Sequence, residues 1–176
     1  MKNIWQSIVL IICGFVVGIF YMIYRCGYIL EGKQKRANKF YLYFNLLDQW
    51  MVCKEQNYKC SDYFHHNHIE SVAIYGMGKL GKHLKHQLEE DGIQIRYVID
   101  EGETIIYGKE EHYNLQDKLP LADLVIVTPI DEYEEIKTKI LHKNNRLNVI
   151  SISEFIHLIK TECEDRNREI KRIEGV

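Results

Sequence analysis

The sequence carries little net charge: 23 basic side chains stand against 25 acidic ones, leaving -2 at neutral pH. Without an overall basic field nothing draws the chain onto phosphate backbones, so no nucleic-acid partner is expected. Its five cysteines, Cys13, Cys26, Cys53, Cys60 and Cys163, are odd in number and scattered, with one inside an apolar run. They do not form a disulfide framework and fit a reducing compartment. Cys53 and Cys60 are too far apart for a CxxC redox pair and read as structural thiols. No Asn-x-Ser/Thr acceptor occurs. Also missing are the Gly-x-Ser-x-Gly elbow, the Gly-x-x-x-x-Gly-Lys-Ser/Thr phosphate loop and the His-Glu-x-x-His zinc pair, and no catalytic residue is assigned. His65, His66 and His68 follow Cys60 without the spacing of metal ligands; they read as a polar turn, and no metal is expected.

What is present begins with a long apolar run. Residues 4–24 contain no charge, and at ~1.5 Å rise per residue such a helix spans about the ~30 Å of a bilayer core. Trp5 at one end and Tyr21, Tyr24 and Tyr28 at the other stand where amphipathic rings meet the two interfaces. A cleaved signal peptide would end in small residues, which Tyr24-Arg25-Cys26 is not. Lys2 alone precedes the run, whereas Arg25, Lys33, Lys35, Arg36 and Lys39 follow it. The expectation is therefore a single-pass cell-membrane protein with its N-terminus outside and its C-terminal domain cytoplasmic. Gly14 and Gly18 form a GxxxG pattern, a candidate homodimer face, although glycine is also simply frequent in such helices.

With residues 1–28 as anchor, the remaining chain has room for one ordinary domain. Residues 29–68 read as an amphipathic connector: from Lys33 to about Cys53, Phe40, Tyr43, Phe44, Leu47, Trp50 and Met51 recur at helical spacing and should pack on protein. Ser61 begins what looks like the cap and first turn of a short helix. Residues 161–176 are mostly charged and read as a frayed helix or disordered tail.

Residues 69–160 carry the domain. An apolar strand at residues 71–75 leads into Gly76-Met77-Gly78-Lys79-Leu80-Gly81 and then a helix. In a GxGxxG turn so placed, Gly76 permits the tight turn, Gly78 lets backbone approach a pyrophosphate, and Gly81 lets helix pack on strand. The helix N-terminus then offers its free N–H groups to phosphate. A second strand at 93–99 ends in Asp100, about the ~20 residues beyond the turn at which an acid can accept from a ribose. Ile105, Ile106, Tyr107 and Gly108 suit a short third strand or turn. Residues 124–127, a continuous β-branched run, read as a parallel strand buried on both faces and end at Thr128-Pro129. A helix at 131–141, a strand at 147–151 and a helix from Ser153 follow. This alternation predicts an α/β domain, an open and mostly parallel Rossmann-like sheet with helices on both faces and right-handed crossovers. Its ligand would sit at the carboxyl edge, where the glycine turn, Asp100, Thr128 and Pro129 meet.

The stretches at residues 73–84, 97–100 and 122–129 resemble the nucleotide-binding domains of bacterial surface-polysaccharide proteins. Among these are the non-catalytic first Rossmann domain of membrane-bound nucleotide-sugar dehydratases and the N-terminal domain of sialic-acid-type sugar acetyltransferases. The likeness covers residues 69–155 and implies a site for NAD(H) or a nucleotide sugar, with Gly76, Gly78 and Gly81 on phosphate, Asp100 on ribose, and glycan-synthesis proteins as partners. This chain departs from the family in its single span, in having no second catalytic Rossmann domain, and in lacking left-handed helix repeats.

Tyr133 and Lys137 match the Tyr-x-x-x-Lys pair of short-chain dehydrogenases, but follow the glycine turn too soon, and Tyr133 suits helix packing. The expected function is a membrane-tethered nucleotide-binding module accessory to surface-polysaccharide synthesis. Two alternatives stand beside it. One is a small NAD(P)-dependent oxidoreductase or nucleotide-sugar-modifying enzyme completed by dimerisation. The other is a ligand-sensing subunit of a membrane transporter, although no Thr-Val-Gly-Tyr-Gly filter is present.

Overall fold

The computed structural model describes residues 2–102 and 110–174. In order they form α1 (Lys2–Glu55), α2 (Cys60–His66), β1 (Val72–Tyr75), α3 (Lys79–Glu90), β2 (Ile95–Ile99), β3 (Glu111–Tyr113), β4 (Leu124–Val127), α4 (Tyr133–Lys143), β5 (Val149–Ser151) and α5 (Ile152–Glu174). The chain divides into two compact units, Met1–Asn45 and Leu46–Val176.

Within the first unit, α1 supplies the one helix among the described residues that is long and apolar enough to cross a membrane, by length and composition. Its most apolar window has a mean hydropathy of 1.9 and is not buried by protein. The expected anchor and connector are a single element, because α1 continues through Gly27 and Gly32. One glycine costs a helix only about 1 kcal/mol, and the two prolines of the chain lie far downstream, at Pro120 and Pro129.

In the second unit, five parallel strands form one sheet in the order β3-β2-β1-β4-β5. β1 is central: Ala73 lies opposite Tyr97 on β2 and Val125 on β4. Every residue of β1 and β4 is buried, which explains their unbroken apolar sequences. Strand alternation then sorts the core into two faces. Ala73, Tyr75, Tyr97, Ile99, Val125, Val127 and Val149 pack with Ile136 and Ile140 of α4. Val72, Ile74, Leu124 and Ile126 point to the opposite face, where α3 lies against β1 and β2 and α5 against β4 and β5. α2 bridges these helices, with Tyr63 and Phe64 each meeting the ring of Phe155 at 5.7 and 5.6 Å. Lys85, Gln87 and Thr128, the buried polar residues among those described, each have a partner, as burial requires. Gln87 accepts the Trp50 indole N–H at 2.5 Å, and Lys85 reaches Glu89 at 2.7 Å and Glu110 at 2.5 Å.

Several sequence expectations change. The connector stripe is split: Trp50, with Leu46 and Cys53, is buried, while Phe40, Phe44, Leu47 and Met51 are exposed. The helix buries the positions next to the expected stripe as well as part of it. α2 begins one residue before Ser61, with Lys59 at its N-cap and no side-chain capping bond. His65 and His66 close that helix instead of forming a turn, and His68 follows it. The expected strand or turn at Ile105, Ile106, Tyr107 and Gly108 lies outside the described residues; β3 is formed by Glu111–Tyr113, which pairs with residues 97–99. Of the two readings of the charged tail, the helical one holds through Glu174, as the second half of α5. Its Cys163 is buried, and Glu162 accepts the Tyr58 hydroxyl at 2.6 Å.

Candidate functional site

β1 must turn directly into α3, and Gly76 makes this possible with φ +87, a left-handed conformation that costs other residues about 1–2 kcal/mol. Both its backbone groups are tied to neighbouring strands. Its N–H donates to the Ile99 carbonyl at 2.8 Å, and its carbonyl accepts the Thr128 hydroxyl at 2.7 Å. A Cβ at Gly76 would meet Thr128 Oγ1 at 2.9 Å and Pro129 Cδ at 3.0 Å. At Gly81 a Cβ would collide with the Gly76 carbonyl oxygen, so helix and turn touch backbone to backbone. Gly78 differs: its φ is an ordinary -67, and a Cβ there meets nothing within 4 Å. Two glycines are thus required by the fold, and the third faces open space.

Gly78 is also the N-cap of α3, where no side chain closes the helix end. The first turn holds Lys79 and Lys82 and no acid. Cations at the positive pole of a helix are unfavourable unless something negative joins them. Lys79 is exposed and Leu80 is turned into the core.

Asp100 stands beside this turn. Its Oδ2 accepts the Met77 N–H at 2.6 Å and its Oδ1 accepts the Gly102 N–H at 2.8 Å. A carboxylate offers about four lone-pair sites, so accepting capacity remains after these two bonds. The residue expected on a ribose is therefore also a latch on the glycine turn. Spacing could locate it there but could not show the second role. Thr128, likewise expected at the edge, staples the ends of β1 and β4, and its N–H donates to the Tyr75 carbonyl at 3.0 Å.

The surroundings are acidic. Burial, then the charges of Glu101, Asp100 and Glu132, push the Tyr75 hydroxyl up to about 12, so this phenol stays protonated at neutral pH. Sequence reading missed Tyr75 and Glu101 at the turn, because an apolar strand end and a solvated acid carry no motif.

Other sequence candidates lie elsewhere. Tyr133 donates its hydroxyl to the Val149 carbonyl at 3.0 Å, with the Lys137 ammonium 5.3 Å from its ring centre; this proton is committed to the sheet. His66 lies 3.8 Å from Glu162. Burial, then Asp91, pushes the Cys60 thiol up, which opposes thiolate reactivity. Around Gly14 and Gly18 a Cβ would meet nothing within 4 Å.

No family model, curated protein or solved structure matches this chain.

Proposed function

We propose that the second unit is a Rossmann-like nucleotide-binding module that α1 tethers to a membrane, with the ligand's phosphates over Gly78 and its ribose on Asp100. The observation that carries this reading is the open backbone at Gly78 on an uncapped helix N-terminus. Free N–H groups, the helix dipole and the neighbouring Lys79 all favour an anion there. The sheet order adds support, since consecutive connections diverge between β1 and β4, where open parallel sheets hold ligands. Asp100 favours a ribose with a free 2′-hydroxyl and opposes a 2′-phosphate, so NAD(H) or a nucleotide sugar is preferred to NADP(H). The basic residues after the apolar run support a cytosolic side for this module. The likeness in residues 73–84, 97–100 and 122–129 suggests service in surface-polysaccharide synthesis, an association by resemblance.

The test is ligand-dependent melting of the full chain in detergent micelles with NAD(H), NADP(H), a UDP-sugar and a CMP-sugar, comparing wild type with Gly78→Val. A ligand at ~100 times its dissociation constant stabilises by about 2.7 kcal/mol. The expected result is a raised midpoint with NAD(H) or a nucleotide sugar that Gly78→Val abolishes while the unliganded midpoint stays put. Absence of a shift with all four ligands would refute the proposal.

A further inference from the structure

At the opposite, amino edge of the sheet lies a cavity of about 530 Å³, whose lining includes Tyr63, His68, Ser71, Arg96, Asp123 and Arg146. Arg96 is the one exposed position in β2, on a strand with neighbours on both sides. Arg146 comes from the loop before β5 and is also exposed. Among the described residues no carboxylate lies within ion-pairing distance of either guanidinium. Asp123, the acid in the wall, is engaged elsewhere: its Oδ2 accepts the Glu70 and Ser71 N–H groups at 3.0 and 2.8 Å and the Ser71 hydroxyl at 2.8 Å. The Ser71 and Glu70 bonds, with a smaller contribution from the Arg96 charge, hold it below the usual carboxylate range. Its Oδ1 accepts no hydrogen bond from a described residue.

The wall is rigidly built. His68 holds a left-handed backbone at φ +54, pinned by its N–H to the His65 carbonyl at 3.3 Å. Such backbone strain in a residue with a side chain persists only where the surroundings fix it. Asn67 is anchored through Nδ2 to the Tyr63 carbonyl at 2.9 Å and to Glu162 at 3.1 Å. Two guanidinium groups, neither in a direct ion pair and Arg96 within electrostatic reach of Asp123, therefore border one cavity with an ionised acceptor and an aromatic wall.

From this arrangement we infer that the amino edge binds a small phosphate ester bearing hydroxyl groups, its phosphate on Arg96 and Arg146 and a hydroxyl donated to Asp123. Guanidinium forks match phosphate oxygens in pairs, and Asp123 supplies the acceptor that a bare inorganic anion would not use. The same chemistry reaches the site either as a soluble polyol phosphate or as the glycerophosphate headgroup of an anionic lipid.

Isothermal titration of the full chain in phosphatidylcholine nanodiscs, with glycerol 3-phosphate and with inorganic phosphate as probes, tests it. Glycerol 3-phosphate should bind saturably and more tightly than inorganic phosphate. Arg96→Gln and Arg146→Gln should each weaken it by about ten-fold or more, with the Lys variants partly restoring it. Gly78→Val should leave it unchanged, which separates this site from the one at the glycine turn. Repeating the titration in nanodiscs containing phosphatidylglycerol distinguishes the sources: competition by the lipid marks a headgroup site, and unchanged affinity marks a soluble ligand. Saturable binding that survives both Arg→Gln variants with normal melting, or no binding in phosphatidylcholine discs, overturns the inference.

Discussion

Three glycines at residues 76, 78 and 81 share a motif and differ in what constrains them. The motif gives each glycine its own role, and the contacts constrain Gly76 and Gly81 while leaving Gly78 open. Gly76→Ala and Gly81→Ala should each lower stability by about 1–3 kcal/mol through overpacking, with Gly76→Ala adding its left-handed penalty. Gly78→Ala should lower the thermal midpoint least of the three, by no more than the N-cap preference of glycine over alanine, and calorimetry of the three variants side by side checks this ordering. Asp123 supports a separate prediction. Its folded carboxyl titrates below its unfolded value, so its contribution is present above about pH 4 and is lost as pH falls through the lower folded value. Asp123→Asn should therefore reduce stability near neutrality and flatten its decline as pH falls below about 4, read from melting curves at successively lower pH. Neither residue's bonds could be read from sequence. Asp100 was placed by its interval from Gly81, but its bond to Met77 depends on how β2 and β1 align.

Elements with strong periodicity or continuous apolar runs were legible: β1, β4 and α4 stand within a residue or two of the sequence expectation, while α3 starts at Lys79, three residues before the Lys82 expected from the end of the glycine turn. β3 was not legible. Glu111, His112 and Tyr113 have no strand pattern of their own and are extended because β2 offers a free edge. The end of α5 was legible as a helix but not as a packed one: its charges look solvated in sequence, yet they face polar partners around residues 56–67. Arg166 donates to the Gln56 carbonyl at 3.2 Å and reaches Asp62 at 3.4 Å, and Asn167 donates to Gln56 Oε1 at 2.8 Å. Truncation after Thr161 should therefore lower the melting midpoint well beyond what loss of a disordered tail would do. Tyr58→Phe alone should cost roughly 2 kcal/mol, the value of a hydrogen bond to a charged group. Both are measured by chemical denaturation. An unchanged midpoint on truncation would return residues 162–176 to the tail first read there.

On the scale of the whole molecule, the boundary after Asn45 is informative for experiment. Leu46, Trp50 and Cys53 belong to the core of the second unit, although sequence placed the domain's start near residue 69. A fragment of residues 46–176 should unfold in one cooperative transition, whereas residues 60–176 should melt earlier and bind hydrophobic dye, having lost the Trp50 to Gln87 bond and its covering apolar side chains. Dye-monitored melting of the two fragments separates these outcomes. The sheet also ends in a way that bears on handling at high concentration. Its two outer strands, Glu111–Tyr113 and Val149–Ser151, have three residues each, and the second passes at once into α5. So short a row of unpaired amides is a poor template for a strand from another molecule. Sheet-to-sheet growth into fibrils is therefore blocked at both borders by brevity, without the bulges or prolines that longer edges need.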